Sequence, residues 1–318
     1  MEYVLETNAI TKRYRGFTAL SGLTMRIPKG SIYGFVGRNG AGKTTLIRVI
    51  CGLQEPTDGS YTLWSVKNTD AAILRCRRRM GAVVETPAIY PEMTARDNIR
   101  QQYRVLGLPS DDGIDALLHL VGLGDTGRKK AGDFSLGMRQ RLGIAVALAG
   151  DPDFLVLDEP VNGLDPQGIK ELRDILKELA HKEGTCVVVS SHLMSEMEMM
   201  CDRVGIIANG KMIGSYTMEE LISQSDSSIA EYVLEVDDPQ KAMSLIMLAD
   251  EGKRIDKETG AVVLSIPAEI EKKKIASVNK TLIEGGVSLY TVHRRENKKL
   301  EDVFIELTGG KEGGVQIG

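Results

Sequence analysis

A glycine-rich loop between an apolar strand and a helical stretch constrains the fold of this chain more than any other feature. The segment SIYGFVG at 31–37 runs into GRNGAGKT at 37–44, which fits the pattern G-x-x-x-x-G-K-[ST], and the apolar stretch TLIRVICGL follows. In this order the three elements form a P-loop, whose backbone N–H groups close around a polyphosphate while the helix N-terminus adds positive potential. The loop therefore predicts an α/β core that binds a nucleotide at one edge of its sheet.

Each residue type in this loop has a physical task. The ammonium of Lys43 can reach the β and γ phosphates of a nucleotide, and the hydroxyl of Thr44 can bind Mg²⁺. Glycines allow the backbone to come close to the phosphates. The loop residues predicted to hold the nucleotide are Gly37, Arg38, Asn39, Gly40, Ala41, Gly42, Lys43, Thr44 and Thr45.

Further apolar runs predict the rest of the core sheet. Residues 82–84, 154–157 and 186–190 are almost continuously apolar, which is typical of strands buried on both faces in a parallel sheet covered by helices. The segment RVGIIANGKMIGSYT then predicts two antiparallel strands joined by a tight turn at Asn209-Gly210. These patterns indicate a mixed sheet.

The chain is predicted to form two domains, 1–220 and 221–318. Its length of 318 residues suits about two domains, and its whole acidic excess, a net charge of -4, lies in the second. Within the first domain, residues 93–149 have helical periodicity without a strong strand pattern, which indicates a helical subdomain. The tail predicts a small α/β accessory domain, with strands at 231–236, 261–266 and 287–293 and helices at 239–249, 268–284 and 298–307.

Two carboxylates and a histidine follow the predicted strands. Asp158 and Glu159 come directly after the run FLVL, at the carboxyl end of a strand, where open α/β sheets bind their ligands. We expect Asp158 to support Mg²⁺ and Glu159 to orient and deprotonate an attacking water. His192 follows the run CVVVS, and its imidazole can contact the γ-phosphate and hold that water. Lys43, Glu159 and His192 are therefore the predicted catalytic residues.

The composition argues against several classes of protein. Apolar residues make up 42% of the chain and charged residues 26%, as in globular proteins, and no apolar run approaches the length of a membrane-spanning helix. The four cysteines and four histidines show no metal-ligand spacing, so the thiols are expected to be reduced core residues. The acidic balance disfavours a nucleic-acid partner. The first residues lack a secretion signal pattern, so a cytoplasmic location is expected.

These motifs occur in the order found in ATP-binding cassette (ABC) proteins. Residues 1 to about 220 resemble the nucleotide-binding subunits of ABC transporters. The resemblance implies the cassette fold, with a mixed sheet core and a helical subdomain around 93–149. It also implies that Tyr14 is the aromatic residue that stacks on the adenine of ATP.

The segment FSLGM at 134–138 is similar to the LSGGQ signature of the family, and NGLD at 162–165 is similar to the D-loop. The resemblance implies that Ser135 and Gly137 contact the ATP held by the opposite subunit, and that Asp165 lies at the dimer seam. Ser135 is also a good N-cap for the helix that follows it. Leucine and methionine stand where the family signature has its first glycine and its glutamine.

Glu85 stands where most members of the family have the Q-loop glutamine. A carboxylate there can still bind Mg²⁺ or water, but it adds negative charge near the polyphosphate. This substitution, together with a tail of about this length, is similar to the bacitracin-resistance and lantibiotic-immunity exporters. The predicted metal-binding residues are therefore Thr44, Glu85 and Asp158.

The resemblance implies a Mg²⁺-dependent ATPase that dimerises around two ATP molecules, with a second copy or another cassette. It implies that the dimer drives a separate membrane permease from the cytoplasmic face, and that a peptide antibiotic or similar amphiphile is exported. Two alternatives stay open, an ABC importer ATPase with a regulatory tail and a soluble ABC ATPase that acts on ribosomes or DNA. The sequence specifies neither the transported molecule nor the permease.

Overall fold

The computed structural model describes residues 2–224, 229–247, 252–257, 259–267, 270–295 and 300–308. The chain divides into two compact units, one that comprises Met1–Met218 together with the described residues Leu307 and Thr308, and one that comprises Glu219–Glu306. Each unit has a hydrophobic core formed by its own residues. No helix in the described ranges is both long and apolar enough to span a membrane.

The first unit begins with three strands, and strands and helices are mixed from there onward. In chain order they are β1 (Tyr3–Tyr14), β2 (Phe17–Pro28), β3 (Ile32–Val36), α1 (Lys43–Ile50), β4 (Asp58–Leu63), β5 (Val66–Lys67), α2 (Ile73–Arg77), β6 (Met80–Val83), α3 (Ala95–Leu106), α4 (Ile114–Leu120), α5 (Leu136–Leu148), β7 (Phe154–Asp158), α6 (Pro166–His181), β8 (Cys186–Ser191), α7 (Met194–Met200), β9 (Arg203–Ala208) and β10 (Lys211–Thr217). The next helix, α8 (Met218–Gln224), belongs to the second unit except for its first residue.

A six-stranded sheet in the order β10-β9-β3-β8-β7-β6 forms the centre of this unit. The strands from β9 to β6 are parallel, and the edge strand β10 runs antiparallel to β9. Every residue of β3, β7 and β8 is buried, as expected of strands covered on both faces. The carboxyl ends of parallel strands lie at one edge of a sheet, so the loops after β3, β7 and β8 meet there.

A second, antiparallel sheet has the order β2-β1-β4-β5. None of these four strands was predicted from the sequence, because their pattern differs from the continuous apolar runs of the central sheet. From Leu23 to Ile27, β2 alternates buried and exposed residues, which is typical of an antiparallel sheet with one solvated face. The turn between β1 and β2 carries Tyr14 and Phe17, which pair across the hairpin.

Residues 93–149, all of them described, contain α3, α4 and α5 and no strand. The hydroxyl of Thr94 accepts a hydrogen bond from the N–H of Asp97 and caps α3, and Gly107, at a φ of 74°, ends it. The loop before α3 packs closely on α5, because a side chain at Gly143 would lie 2.5 Å from the Cβ of Pro87. The helical region therefore contacts the loop that follows β6.

The second unit contains β11 (Ile229–Val236), α9 (Pro239–Leu245), β12 (Lys253–Ile255), β13 (Val262–Pro267), α10 (Glu271–Glu284), β14 (Leu289–Arg294) and α11 (Leu300–Leu307). Its sheet has the order β12-β13-β11-β14, and every neighbouring pair is antiparallel. The order of elements through β14, with this strand order, is the split βαβ arrangement of ferredoxin-like folds.

Three differences from the predicted tail have local reasons. The strand β12 was missed because it has only three residues, too few to show a period. The predicted helix 239–249 ends at Leu245, where the chain leaves the helical region at Ile246. Predicted helical residues 248–249, 268–269 and 298–299 lie outside the described ranges.

Candidate functional site

The loop between β3 and α1 has the geometry of a phosphate cradle. Gly40 and Gly42 have φ angles of 80° and 110°, which favour glycine. A side chain at Gly42 would also approach the carbonyl oxygen of Ala19 to 2.7 Å. No side chain caps the start of α1 at Lys43, so the first N–H groups of this helix can bind an anion.

Lys43 is buried in this loop, with 5% of its surface exposed. Its Nζ donates a hydrogen bond to the carbonyl oxygen of Gly37 at 2.6 Å and lies 3.5 Å from that of Arg38. The same Nζ lies 3.3 Å from Oε1 of Glu159. A buried ammonium is tolerated when polar groups compensate it, and here two carbonyls and a carboxylate do so.

The carboxyl end of β7 holds two carboxylates in different surroundings. Asp158 is 1% exposed, and its Oδ1 accepts a hydrogen bond from the hydroxyl of Ser190 at 2.5 Å. Glu159 follows with a φ of 49°, a left-handed conformation that costs a non-glycine residue roughly 1–3 kcal/mol. Its backbone N–H donates to the same hydroxyl at 2.9 Å. Ser190 was not among the predicted site residues.

His192 lies on the other side of Glu159. Its Nδ1 is 2.9 Å from Oε2 of Glu159, while Oε1 of the same carboxylate faces Lys43. The side chain of Glu159 is 18% exposed and that of His192 38%. The structure thus brings the three predicted catalytic side chains into one row, with the carboxylate in the middle and one end open to solvent.

A cavity of about 390 Å³ opens beside this row. Its lining combines the glycine-rich loop with the end of β7 and the residue after β8. The lining residues are Phe17, Ala19, Asn39, Gly40, Ala41, Gly42, Lys43, Thr44, Thr45, Glu159, Asn162 and His192. Three of them, Phe17, Ala19 and Asn162, were not predicted. Phe17 could have been predicted as a binding residue from the sequence. An aromatic side chain in the polar turn RYRGF does not belong to the hydrophobic core, so it is a candidate for contact with a ligand.

Tyr14 lies behind Phe17. Their ring centroids are 5.3 Å apart with an angle of 22° between the planes, which is a stacked arrangement. The hydroxyl of Tyr14 donates to Oε1 of Gln54 at 2.5 Å. Phe17 is 62% exposed and lines the cavity, whereas Tyr14 is partly buried. In this structure the exposed ring beside the loop is therefore that of Phe17.

Two residues near the cavity fit a hard divalent cation. Thr44 lines the cavity and offers a hydroxyl, and the buried Asp158, directly before the lining residue Glu159, offers a carboxylate. Hydroxyl and carboxylate oxygens are ligands that Mg²⁺ prefers. Among the described residues no group of three His, Cys, Asp or Glu side chains is placed to hold a metal. In nucleotide sites Mg²⁺ usually binds one or two protein carboxylates and takes its other ligands from water and substrate phosphates.

Glu85 lies at the same sheet edge, after β6, but it faces another partner. Its Oε1 is 2.7 Å from Nη2 of Arg48 on α1. Half of the Glu85 side chain is exposed, and the residue does not line the cavity. In the described conformation its carboxylate is therefore an ion-pair partner of Arg48.

The predicted cross-subunit residues cap two helices outside the cavity. The hydroxyl of Ser135 accepts from the N–H of Met138 at 3.2 Å at the start of α5. Oδ1 of Asp165 accepts from the N–H of Gly168 at 2.9 Å at the start of α6. Gly137 lies in the first turn of α5, where a side chain would be 3.3 Å from Cδ2 of Leu164. The two loops thus contact each other, and Ser135 is exposed.

Cys51 follows α1, close to the acidic end of β7. Burial raises the pKa of its thiol to about 12, and the negative charge of Asp158 adds to the effect. The thiol is therefore neutral at physiological pH and is a poor nucleophile. All four cysteines are free.

Comparisons with known proteins agree with this geometry. The profile of the family described as ABC transporter matches residues 20–162. The bacitracin transport ATP-binding protein BcrA of Enterococcus faecalis is 35% identical over 315 residues, 99% of each chain. The lantibiotic transport ATP-binding protein SrtF of Streptococcus pyogenes is 40% identical over 230 residues, 69% of this chain and 96% of SrtF.

The fold is also similar to solved structures. A dimeric structure of MJ0796, a bacterial ABC transporter cassette, has a TM-score of 0.63 and 26% sequence identity with this chain. The similarity covers 67% of this chain and 98% of that cassette. With relatives above 30% identity that align over nearly the whole chain, and with the P-loop, Glu159 and His192 around one cavity, the chain belongs to the ABC transporter family and is an ATP-binding subunit of such a transporter.

Proposed function

We propose that the chain is a Mg²⁺-dependent ATPase that powers a separate membrane permease in the export of a peptide antibiotic or a similar amphiphile. One observation is the main support for the proposed ATPase activity. The carboxylate of Glu159 lies between the ammonium of Lys43 and the imidazole of His192, at the wall of a cavity formed by a P-loop. This arrangement supports ATP hydrolysis by water.

Each of these groups has a role in phosphoryl transfer to water. The ammonium of Lys43, held near the loop carbonyls, stabilises charge on the β and γ phosphates. Glu159 orients the attacking water and accepts its proton, and His192 fixes the carboxylate through its hydrogen bond. Thr44 and Asp158 would hold Mg²⁺, which when bound neutralises charge on the phosphates. Phe17 offers an aromatic face to the base of ATP.

A second cassette and a permease are the proposed partners. Ser135, Gly137 and Asp165 lie outside the cavity of their own chain, which supports a role at the ATP of an opposing cassette. The dimeric solved cassette named above supports pairing of this kind. A cytoplasmic position on the membrane, through the permease, follows from this assembly.

The substrate class rests on similarity along the whole chain. BcrA, a bacitracin transport protein by name, aligns with 99% of this chain, including the second unit, and SrtF carries lantibiotic transport in its name. Both names refer to peptide antibiotics. We therefore expect this chain to protect its host against a molecule of that class.

The substitution Glu159→Gln tests the hydrolytic role. The amide keeps the size of the side chain but is a poor general base, so ATP turnover should fall at least about a hundredfold while ATP binding is retained. The control is Glu178→Gln, which removes a carboxylate from an exposed ion pair with Lys182 and should leave turnover unchanged. Near-normal turnover in Glu159→Gln would remove Glu159 from this role.

Isolation of the chain from native membranes tests its proposed association with a permease. The tagged chain, solubilised in mild detergent, should copurify in stoichiometric amount with a membrane-spanning protein identified by mass spectrometry. Host cells that carry Glu159→Gln should become more sensitive to a peptide antibiotic than cells with the natural chain. Copurification with ribosomes or DNA, without a membrane partner, would contradict the transport proposal while leaving the ATPase activity intact.

A further inference from the structure

One buried hydroxyl contacts both acidic residues of the site. Ser190 is 0% exposed. Its hydroxyl donates to Oδ1 of Asp158 at 2.5 Å and accepts from the backbone N–H of Glu159 at 2.9 Å. We propose that Ser190 is a positioning residue for ATP hydrolysis, which fixes the metal-binding carboxylate of Asp158 and the backbone of Glu159 at the same time. This inference rests on the proposed function and adds a residue to it.

The strand register brings these groups together. β7 and β8 are parallel neighbours, and Asp158 is the register partner of Ser190. Partners on adjacent strands have their side chains on the same face of a sheet, so the hydroxyl and the carboxylate meet without rearrangement. Glu159 then turns sharply out of β7, which directs its N–H back towards the hydroxyl. The contact is therefore built into the central sheet.

Burial makes this contact strong. Asp158 is 1% exposed, so water cannot replace the hydrogen bond that Ser190 donates to its carboxylate. Bonds to a charged acceptor are stronger than neutral ones, and an unsatisfied buried partner is costly. Removal of the hydroxyl would leave the Asp158 oxygen and the Glu159 N–H without this partner. The carboxylate of Asp158 and the backbone of Glu159 could then adopt other orientations.

The end of β8 holds Glu159 at two points. Ser190 binds its backbone N–H, and His192, two residues later, binds its carboxylate at Oε2. Glu159 has a φ of 49°, a conformation that persists only where the surroundings determine it. Because a small misplacement of a catalytic group slows chemistry strongly, loss of the Ser190 contact should affect the reaction more than ATP binding.

The test compares Ser190→Ala with Thr7→Val in the full chain. Thr7 is a matched control because its hydroxyl is also buried and makes two hydrogen bonds, with Leu23 and Met25, in the other sheet of the unit. We expect kcat to fall about ten- to a hundredfold in Ser190→Ala, with KM for ATP within about threefold. In Thr7→Val kcat should stay within about twofold of the unchanged chain.

Ser190→Thr keeps the hydroxyl and should recover most of the lost kcat. Binding of ADP with and without Mg²⁺, measured by calorimetry, gives a readout independent of turnover. The gain in ADP affinity on adding Mg²⁺ should shrink in Ser190→Ala and not in Thr7→Val, because only the former frees Asp158. Thermal unfolding establishes that each variant is folded during these measurements.

The outcomes separate this inference from the proposed function. If the unchanged chain hydrolyses ATP but Ser190→Ala keeps its kcat and its Mg²⁺ effect, Ser190 has no positioning role. Equal losses of kcat in Ser190→Ala and Thr7→Val would also overturn it, since they would reflect stability alone. If the unchanged chain binds ADP with Mg²⁺ but never hydrolyses ATP, the proposed function fails, and the Mg²⁺ effect in Ser190→Ala still decides the role of Ser190.

Discussion

Two glutamates, Glu85 and Glu159, have positive φ angles, 61° and 49°. Each follows one of the neighbouring parallel strands β6 and β7, whose register pairs Val83 with Leu157. The pairing places the two glutamates at corresponding positions beyond the strand ends. A left-handed conformation costs a non-glycine residue roughly 1–3 kcal/mol, so the surrounding contacts must hold both. Those contacts differ, because Glu159 faces Lys43 whereas Glu85 faces Arg48.

The pair formed by Glu85 and Arg48 leads to a prediction about metal dependence. The pair is partly exposed, so breaking it should change the free energy of unfolding by no more than about 1 kcal/mol. If Glu85 also binds Mg²⁺ during turnover, Glu85→Gln should raise the Mg²⁺ concentration needed for half-maximal ATPase activity, with little change in nucleotide affinity.

Arg48→Gln is the matched control for this prediction. It breaks the same ion pair but leaves the carboxylate of Glu85 in place. A Mg²⁺ titration that shifts only in Glu85→Gln would support the metal role. An unchanged titration and unchanged transport in Glu85→Gln would show that glutamate is a neutral replacement at this position.

At the residue scale, the sequence predicted the side chains that carry local motifs. Lys43, Glu159 and His192 meet in the structure because each follows a predicted strand of one sheet. The partner residues could not be predicted. Ser190 holds the backbone of Glu159, and Arg48 pairs with Glu85, through contacts between distant segments of the chain. The sequence contains no local sign that one serine reaches two acidic residues of a neighbouring strand.

At the scale of elements, the packing of α5 against β6 fixes the helical region on the central sheet. Gly81 in β6 is buried, and a side chain there would collide with the backbone carbonyl of Ala147 in α5. Pro152 lies next to the same point, at 3.2 Å. Because two backbones approach each other here, neither can move aside for an added methyl group.

Gly81→Ala should therefore destabilise the first unit by about 1–3 kcal/mol, the usual cost of overpacking. Urea denaturation followed by circular dichroism measures this change. The control is Ala82→Ser at the next position of β6, which is exposed and should change stability by less than about 0.5 kcal/mol. Equal stability of Gly81→Ala and the natural chain would mean that α5 can shift away from the sheet.

Elements with continuous apolar runs were predicted well, because burial on both faces leaves an unmistakable pattern. The helical periodicity within residues 93–149 includes α3, whose ends are marked by Thr94 and Gly107. The antiparallel strands β1, β2, β4 and β5 were missed. Their residues alternate between buried and exposed positions or belong to short segments. Such strands can be recognised only when the neighbouring strands are known.

At the scale of the whole molecule, the two units have separate cores. The core cluster around the central and antiparallel sheets draws its residues from Val4 to Ile207, and that of the second unit from Leu234 to Val287. Since a unit with its own core can fold as a cooperative element, the ATP site should not depend on the second unit for its stability. The acidic excess of the tail is likewise confined to residues beyond 220.

The hairpin β9–β10, by contrast, contacts the P-loop directly. The N–H of Gly210, in its turn, donates to the carbonyl of Ala41 in the P-loop at 3.0 Å, and the carbonyl of Gly210 accepts from the N–H of Ser21 at 2.8 Å. β10 also covers the edge of β9. A chain that ends before this turn would lose both bonds and leave β9 with an unpaired edge.

Two shortened chains test this difference. A chain ending at Gln224 keeps α8 and should unfold cooperatively and bind ADP with an affinity within about threefold of the full chain, because every residue lining the cavity is retained. A chain ending at Ala208 should aggregate or lose ADP binding by at least about tenfold, since the P-loop loses its contact with Gly210 and β9 becomes an open edge. Thermal unfolding and calorimetric titration with ADP distinguish the two. Failure of the longer chain to fold would mean that the second unit completes the core of the first, against the separation of their hydrophobic clusters.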